Sequence, residues 1–92
     1  MRIIVEYMAQ TRTAAGTTAE TVEVAADAAV QELVAELVGH HNEQFRQLLC
    51  TEDGGLRSSI LVSVNGRQVR GGDQVVLHDG DEVLIMSPIA GG

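Results

Sequence analysis

At 92 residues the chain has room for one domain and one hydrophobic core, and a 45% hydrophobic composition gives it enough apolar surface to offset the entropy of ordering its backbone. Its one cysteine excludes an internal disulfide and suits a reducing compartment; with no leader-like start and no apolar run near the ~20 residues of a membrane span, the expected location is the cytoplasm, with no membrane partner. The formal net charge of −7, with six scattered arginines as the only basic residues besides histidine, speaks against nucleic acid and favours basic partners.

The opening stretch Met1 to Tyr7 is β-branched and alternating, with Ile3, Val5 and Tyr7 on one side and Arg2, Ile4 and Glu6 on the other, so it predicts a strand. "TRTAAGTT" is a turn region around Gly16, and Glu20 to Val24 alternates again with Val22 and Val24 inward, which makes the first two strands a hairpin. The period then changes. Val30, Leu33, Val34, Leu37 and Val38 form one apolar stripe at helical spacing, with Asp27 as candidate N-cap, Gly39 as candidate stop, and His40 and His41 beyond it. From Asn42 to Ser59 the pattern weakens to a short helical turn anchored by Phe45, Leu48 and Leu49, followed by the loop "TEDGGLRSS". "ILVSV" predicts a strand, Asn65 and Gly66 a tight hairpin turn into "RQV", "VVL" a brief strand, "HDGD" a turn, and Glu82 to Met86 the last strand.

Two strands, a helix and then two or more strands imply an α+β fold of the β-grasp (ubiquitin-like) type, a single mixed sheet with one main helix packed on one face. The domain is expected over residues 1–88, with a flexible diglycine tail over 89–92. One helix covers one face, so the other should be polar; instead Ile4, Leu61, Leu84 and Met86 point to it, with Pro88 at the exit, and an exposed apolar patch of this kind marks a protein partner. The alternatives are that the segment Asn42 to Ser59 folds over this face, or that a bulge shifts the parity.

No residue pattern predicts a catalytic centre or a metal site. Cys50 follows an apolar run and reads as a small buried hydrophobe, His40 and His41 as polar residues at a helix C-terminus, and His78, Asp79, Asp81 and Glu82 as turn chemistry. The tail is more suggestive. Pro88 cannot donate to a sheet ladder, so Ile89, Ala90, Gly91 and Gly92 should leave the sheet as an arm. Without a Cβ the two glycines could thread a narrow channel and present the Gly92 α-carboxylate.

"VSVNGRQV", "LHDGDEVLIMSPIAGG" and, nearer the start, "RTAAG" resemble, in order and spacing, the MoaD/ThiS family of ubiquitin-like sulfur carriers. That resemblance implies a non-enzymatic carrier that binds no cofactor. Its terminal glycine, here Gly92, is adenylated by a ubiquitin-activating-type enzyme using ATP and converted to a thiocarboxylate. It also implies docking of that enzyme and of a sulfur-acceptor enzyme, such as the molybdopterin synthase large subunit, on the outer sheet face. Alternative destinations are cysteine, thiamin thiazole, thiolated tRNA or a secondary metabolite; a further alternative is conjugation to proteins as a modifier. Ser87 departs from the family pattern, standing where many relatives have a second proline, and this implies a looser tail exit. The stretch from Cys50 to Ser59 is longer than in compact thiamin-type carriers and looks more like the molybdopterin-synthase small subunit or the carriers that feed cysteine synthesis.

Overall fold

The computed structural model describes residues 1–70, 73 and 75–87. Five strands, β1 (Arg2–Met8), β2 (Ala19–Glu23), β3 (Leu61–Val64), β4 (Arg67–Val69) and β5 (Glu82–Met86), form one mixed sheet in the order β2-β1-β5-β3-β4. β1 and β5 pair in parallel at its centre, and the remaining neighbours are antiparallel. Helices α1 (Gln10–Ala15), α2 (Val30–His40) and α3 (Glu43–Leu49) lie on one face, giving a ubiquitin-like β-grasp. The alternation in β1 does what its period requires, because Ile3, Val5 and Tyr7 enter the core while Arg2, Ile4, Glu6 and Met8 face outward. Val22, Val62, Val83 and Ile85 join them from the other strands, and Leu33, Val34 and Leu37 close the core from α2. Fully burying a side chain such as Leu33, Leu37 or Phe45 contributes about 1.5–3 kcal/mol.

Four sequence expectations change. The β1–β2 connection contains α1, a six-residue helix where a plain turn was expected, ended by Gly16 in the left-handed conformation at φ 76°. Helix α2 begins at Val30, so Asp27 is not its cap. Ala29 holds that position without a capping side chain, and the Glu32 carboxylate accepts the Ala29 N–H at 3.0 Å. The "VVL" segment is not a sheet strand but backs this helix start. Val30 N–H donates to the Val75 carbonyl at 3.1 Å, Leu77 N–H donates to Ala28 at 2.9 Å, and Ala29 and Val76 form an isolated bridge. Finally, Gly39 does not stop α2, which runs on through His40.

Helix α3 realises the helical turn at Phe45 and Leu49, with Asn42 as N-cap accepting the Phe45 N–H at 2.9 Å. Both side chains are fully buried, and α3 packs against α1 on the core face. The segment Asn42 to Ser59 therefore does not roof the outer face. Asn65 and Gly66 take φ of 51° and 85°, the paired positive values of a type I′ hairpin turn. Asn65 also ties that turn to β5. Its Nδ2 donates to Asp81 at 2.9 Å, and its Oδ1 accepts the Glu82 N–H at 2.9 Å. The bond from Asn65, followed by one from the His78 N–H, holds the Asp81 carboxyl below its usual range.

Candidate docking face and chain exit

The strand register turns the outward residues into a map. Met8 on β1 pairs with Met86 on β5, which pairs with Leu61 on β3, so three apolar side chains form a row across adjacent strands. One step inward the row reads Glu6, Leu84, Ser63 and Gln68, and one further Thr21, Ile4 and Glu82. Ile4, Met8 and Leu61 are 38%, 48% and 40% exposed, values that no core position approaches, and Leu84 and Met86 are half-buried between them. Ile4, Leu61, Leu84 and Met86 thus share the outer face as their parity predicts. Met8 joins them at the position that continuing the β1 alternation two residues beyond Glu6 reaches. Glu6, Ser63, Asn65, Gly66, Glu82 and Leu84 line a hollow of about 330 Å³ on the same face, so its apolar end is followed by an acidic one.

The apolar row lies where β5 ends. Ser87, the last described residue, is 1% exposed, and its Oγ accepts the Gln10 N–H at 3.0 Å. Beside it, fully buried Thr11 on α1 places its hydroxyl 2.7 Å from the Met8 carbonyl and 2.8 Å from the Ile85 carbonyl, and accepts the Met8 N–H at 3.2 Å. One hydroxyl therefore joins the ends of the two central parallel strands. Ser87 is held by this cluster, and the tail exit on which its replacement of a proline bears lies outside the described residues. Pro88, Ile89, Ala90, Gly91 and Gly92 lie outside the described residues.

A second polar cluster braces the same end of the sheet from inside. Tyr7 is 2% exposed, and its hydroxyl donates to the Glu20 carboxylate on β2 at 2.6 Å. The same carboxylate meets Nε2 of His41, whose ring stacks on Phe45 at 4.4 Å while Tyr7 meets Phe45 edge-on at 5.7 Å. Burial would push the Glu20 carboxyl up, but the hydrogen bonds from Tyr7 and His41 outweigh it and hold the group below its usual range. Burial first, and then the bond to Glu20, push the Tyr7 phenol upward. His41 is accordingly a supporting residue of the core. Its position four residues after Leu37, in line with the buried stripe of α2 and directly after its last residue, is the available signal.

Cys50 is buried as expected, and burial raises its thiol against the opposing influence of Arg46 and Arg57. His40 is exposed and meets Glu36 one turn back. His78, Asp79 and Asp81 form a turn in which the Arg2 and His78 N–H groups donate to the aspartates. Among the described residues no three His, Cys, Asp or Glu side chains are grouped to hold a metal, and no helix is long and apolar enough to cross a membrane.

The model of the ThiS family matches residues 5–92. The molybdopterin synthase sulfur carrier subunit of Chlamydomonas reinhardtii is 32% identical over 92 residues, covering 100% of both chains. SAMP1, the small archaeal modifier protein 1 of Haloferax volcanii, superimposes with a TM-score of 0.88 at 28% identity over 100% of both chains. The Amycolatopsis orientalis BexX/CysO complex supplies a third likeness, with a TM-score of 0.69 at 29% identity over 98% of this chain and 99% of that one.

Proposed function

This chain belongs to the ThiS family of ubiquitin-like sulfur carriers, and on that premise we propose that it carries sulfur as a thiocarboxylate on Gly92 and delivers it in molybdopterin synthesis. A free carboxylate is anionic and resonance-stabilised, hence a poor electrophile. In the proposed sequence a Gly92 carboxylate oxygen attacks the α-phosphorus of ATP on an activating enzyme, forming an acyl adenylate and releasing pyrophosphate. A persulfide sulfur then attacks the acyl carbon as the bond to AMP breaks, and a second thiol reduces the resulting S–S bond to leave the thiocarboxylate. The folded body contributes position. By docking, it raises the effective concentration of the reactive end at the partner's site and avoids the release of free sulfide.

The observation that carries this reading is the Met8–Met86–Leu61 row, an exposed apolar surface beside the strand end that leads to the tail. Its acidic continuation at Glu6 and Glu82 suits partners that surround an apolar contact with basic residues. Molybdopterin synthesis is preferred as the destination because the full-length relative at 32% identity is a molybdopterin synthase sulfur carrier subunit. The likeness to a small archaeal modifier protein favours a second reading, conjugation of Gly92 to protein amines.

The deciding experiment is the intact mass of the chain after incubation with its activating enzyme, ATP and a persulfide donor. Replacement of one terminal oxygen by sulfur, lost on deletion of Gly91 and Gly92, is the expected result. An unchanged mass beside a demonstrably active enzyme rejects the carrier reading. Transfer of the sulfur to a molybdopterin precursor by the synthase large subunit tests the destination, and a ladder of peptidase-resistant conjugates would instead support the modifier.

A further inference from the structure

On the helical side of the molecule, away from the outer sheet face, α2, the Cys50 to Ser58 loop and strands β3 and β4 enclose a groove of about 610 Å³. That volume falls within the roughly 300–1,000 Å³ range of small-molecule sites. Its walls are apolar and continuous with the core, with Val34, Val38, Leu56, Ile60 and Val69 among them. Its charge is opposite to that of the molecule. Among the described residues Arg46, Arg57 and Arg70, three of the chain's six arginines, line the groove and no Asp or Glu does, with Glu43 paired to Arg46 and the Asp73 carboxylate accepting the Arg70 N–H at 3.1 Å beyond its edge, although the chain carries a formal charge of −7. Two of these arginines are held in place. Arg46 is paired with Glu43, and Arg57 Nε donates to the Gln47 carbonyl at 2.8 Å, which uses one of the five N–H donors of its guanidinium. An apolar cleft with arginines at its edge matches a ligand that is apolar along its body and anionic at one end.

We propose that this groove binds a small organic anion with an aliphatic body and a terminal carboxylate, at a site separate from the sulfur-carrying end. The body displaces water from the valine and leucine walls, and the carboxylate meets Arg57 and Arg70. Cys50 also lines the groove and reports occupancy, because a ligand seated there shields the only thiol of the chain. The inference does not depend on the sulfur-carrier reading, since neither Gly92 nor the outer face takes part in it.

The test uses the full chain, isotopically labelled, titrated with decanoate below its aggregation range and with decanol as the uncharged control. Decanoate is expected to shift the amides of Val34, Val38, Leu56 and Val69 saturably and to slow alkylation of Cys50. Arg70→Gln, and Arg57→Gln with Arg70→Gln, should each weaken binding, the double variant by at least about tenfold as charge-assisted contacts are lost. Ala35→Trp, placed on an exposed lining residue of α2, should block the groove while the urea midpoint stays unchanged. Equal affinity for decanol, retained affinity in the arginine variants or in folded Ala35→Trp, or shifts confined to Ile4, Met8 and Leu61 would each overturn the proposal, as would the absence of a saturable shift.

Discussion

At the scale of single residues, the buried polar atoms carry the most information. Tyr7 sits on an inward strand position that a phenylalanine would fill equally well, and its hydroxyl is tolerable there only because Glu20 accepts from it. Tyr7→Phe should therefore destabilise the fold by about 1.5–2 kcal/mol in urea titration, the low part of the range for bonds to charged groups, because Glu20 keeps His41 and some access to water. The sign of the pH dependence follows from the direction of the Glu20 shift. Its carboxyl titrates lower in the fold than in the unfolded chain, so the stabilisation is complete above the ordinary value of 4.5 and is lost as pH falls through the lower folded value. Glu20→Gln should flatten the stability profile below about pH 4.5 while leaving an offset at neutral pH. An unchanged acid limb would show that the cluster does not couple to folding.

At the scale of elements, helix ends are where local sequence and tertiary context part company. Gly39 has a helix stop's identity but lies inside α2, and a Cβ added there would meet nothing within 4 Å. Gly39→Ala should therefore stabilise the protein by about 0.5–1 kcal/mol, read as a higher urea midpoint at unchanged slope. Thr11 presents the opposite case. Its hydroxyl joins the Met8 and Ile85 carbonyls, and Thr11→Val leaves those acceptors short of a donor in a dry site. The expected cost is about 1–3 kcal/mol, with hydrogen exchange at Met86 and Ser87 rising more than exchange at Val62. Equal acceleration at all three amides would mean that Thr11 stabilises the domain as a whole and not the end of β5.

At the scale of the whole molecule, the two faces of the sheet divide the work, one folding the chain and the other available to partners. Met8→Asp and Leu61→Asp place charge on exposed positions of the apolar row, so thermal stability should change little while capture by the proposed activating or acceptor enzyme falls at least about tenfold. Retained capture would move the docking surface elsewhere. Much of this division was legible in the sequence, because a period of two in β1 and β5 and a period of 3.6 in α2 assign each residue to a face without knowledge of its neighbours. Asn65–Gly66 likewise fixed its own turn, since both positive φ values are local preferences. The start of α2 was not legible, because backbone bonds from residues 75 and 77 set it; the role of His41 was only partly so, because its partners Tyr7 and Glu20 come from two other elements. The sequence by itself determined the five sheet strands, the helices around Leu33 and Phe45, their buried sides and the family motifs, all of which depend on spacing along the chain. Only the tertiary structure decided that Met8, Met86 and Leu61 form one row, that Thr11 and Ser87 secure the strand end, and that three arginines far apart in sequence line one groove. Those are relations between segments, and they exist only after strand pairing and core packing have brought distant residues together.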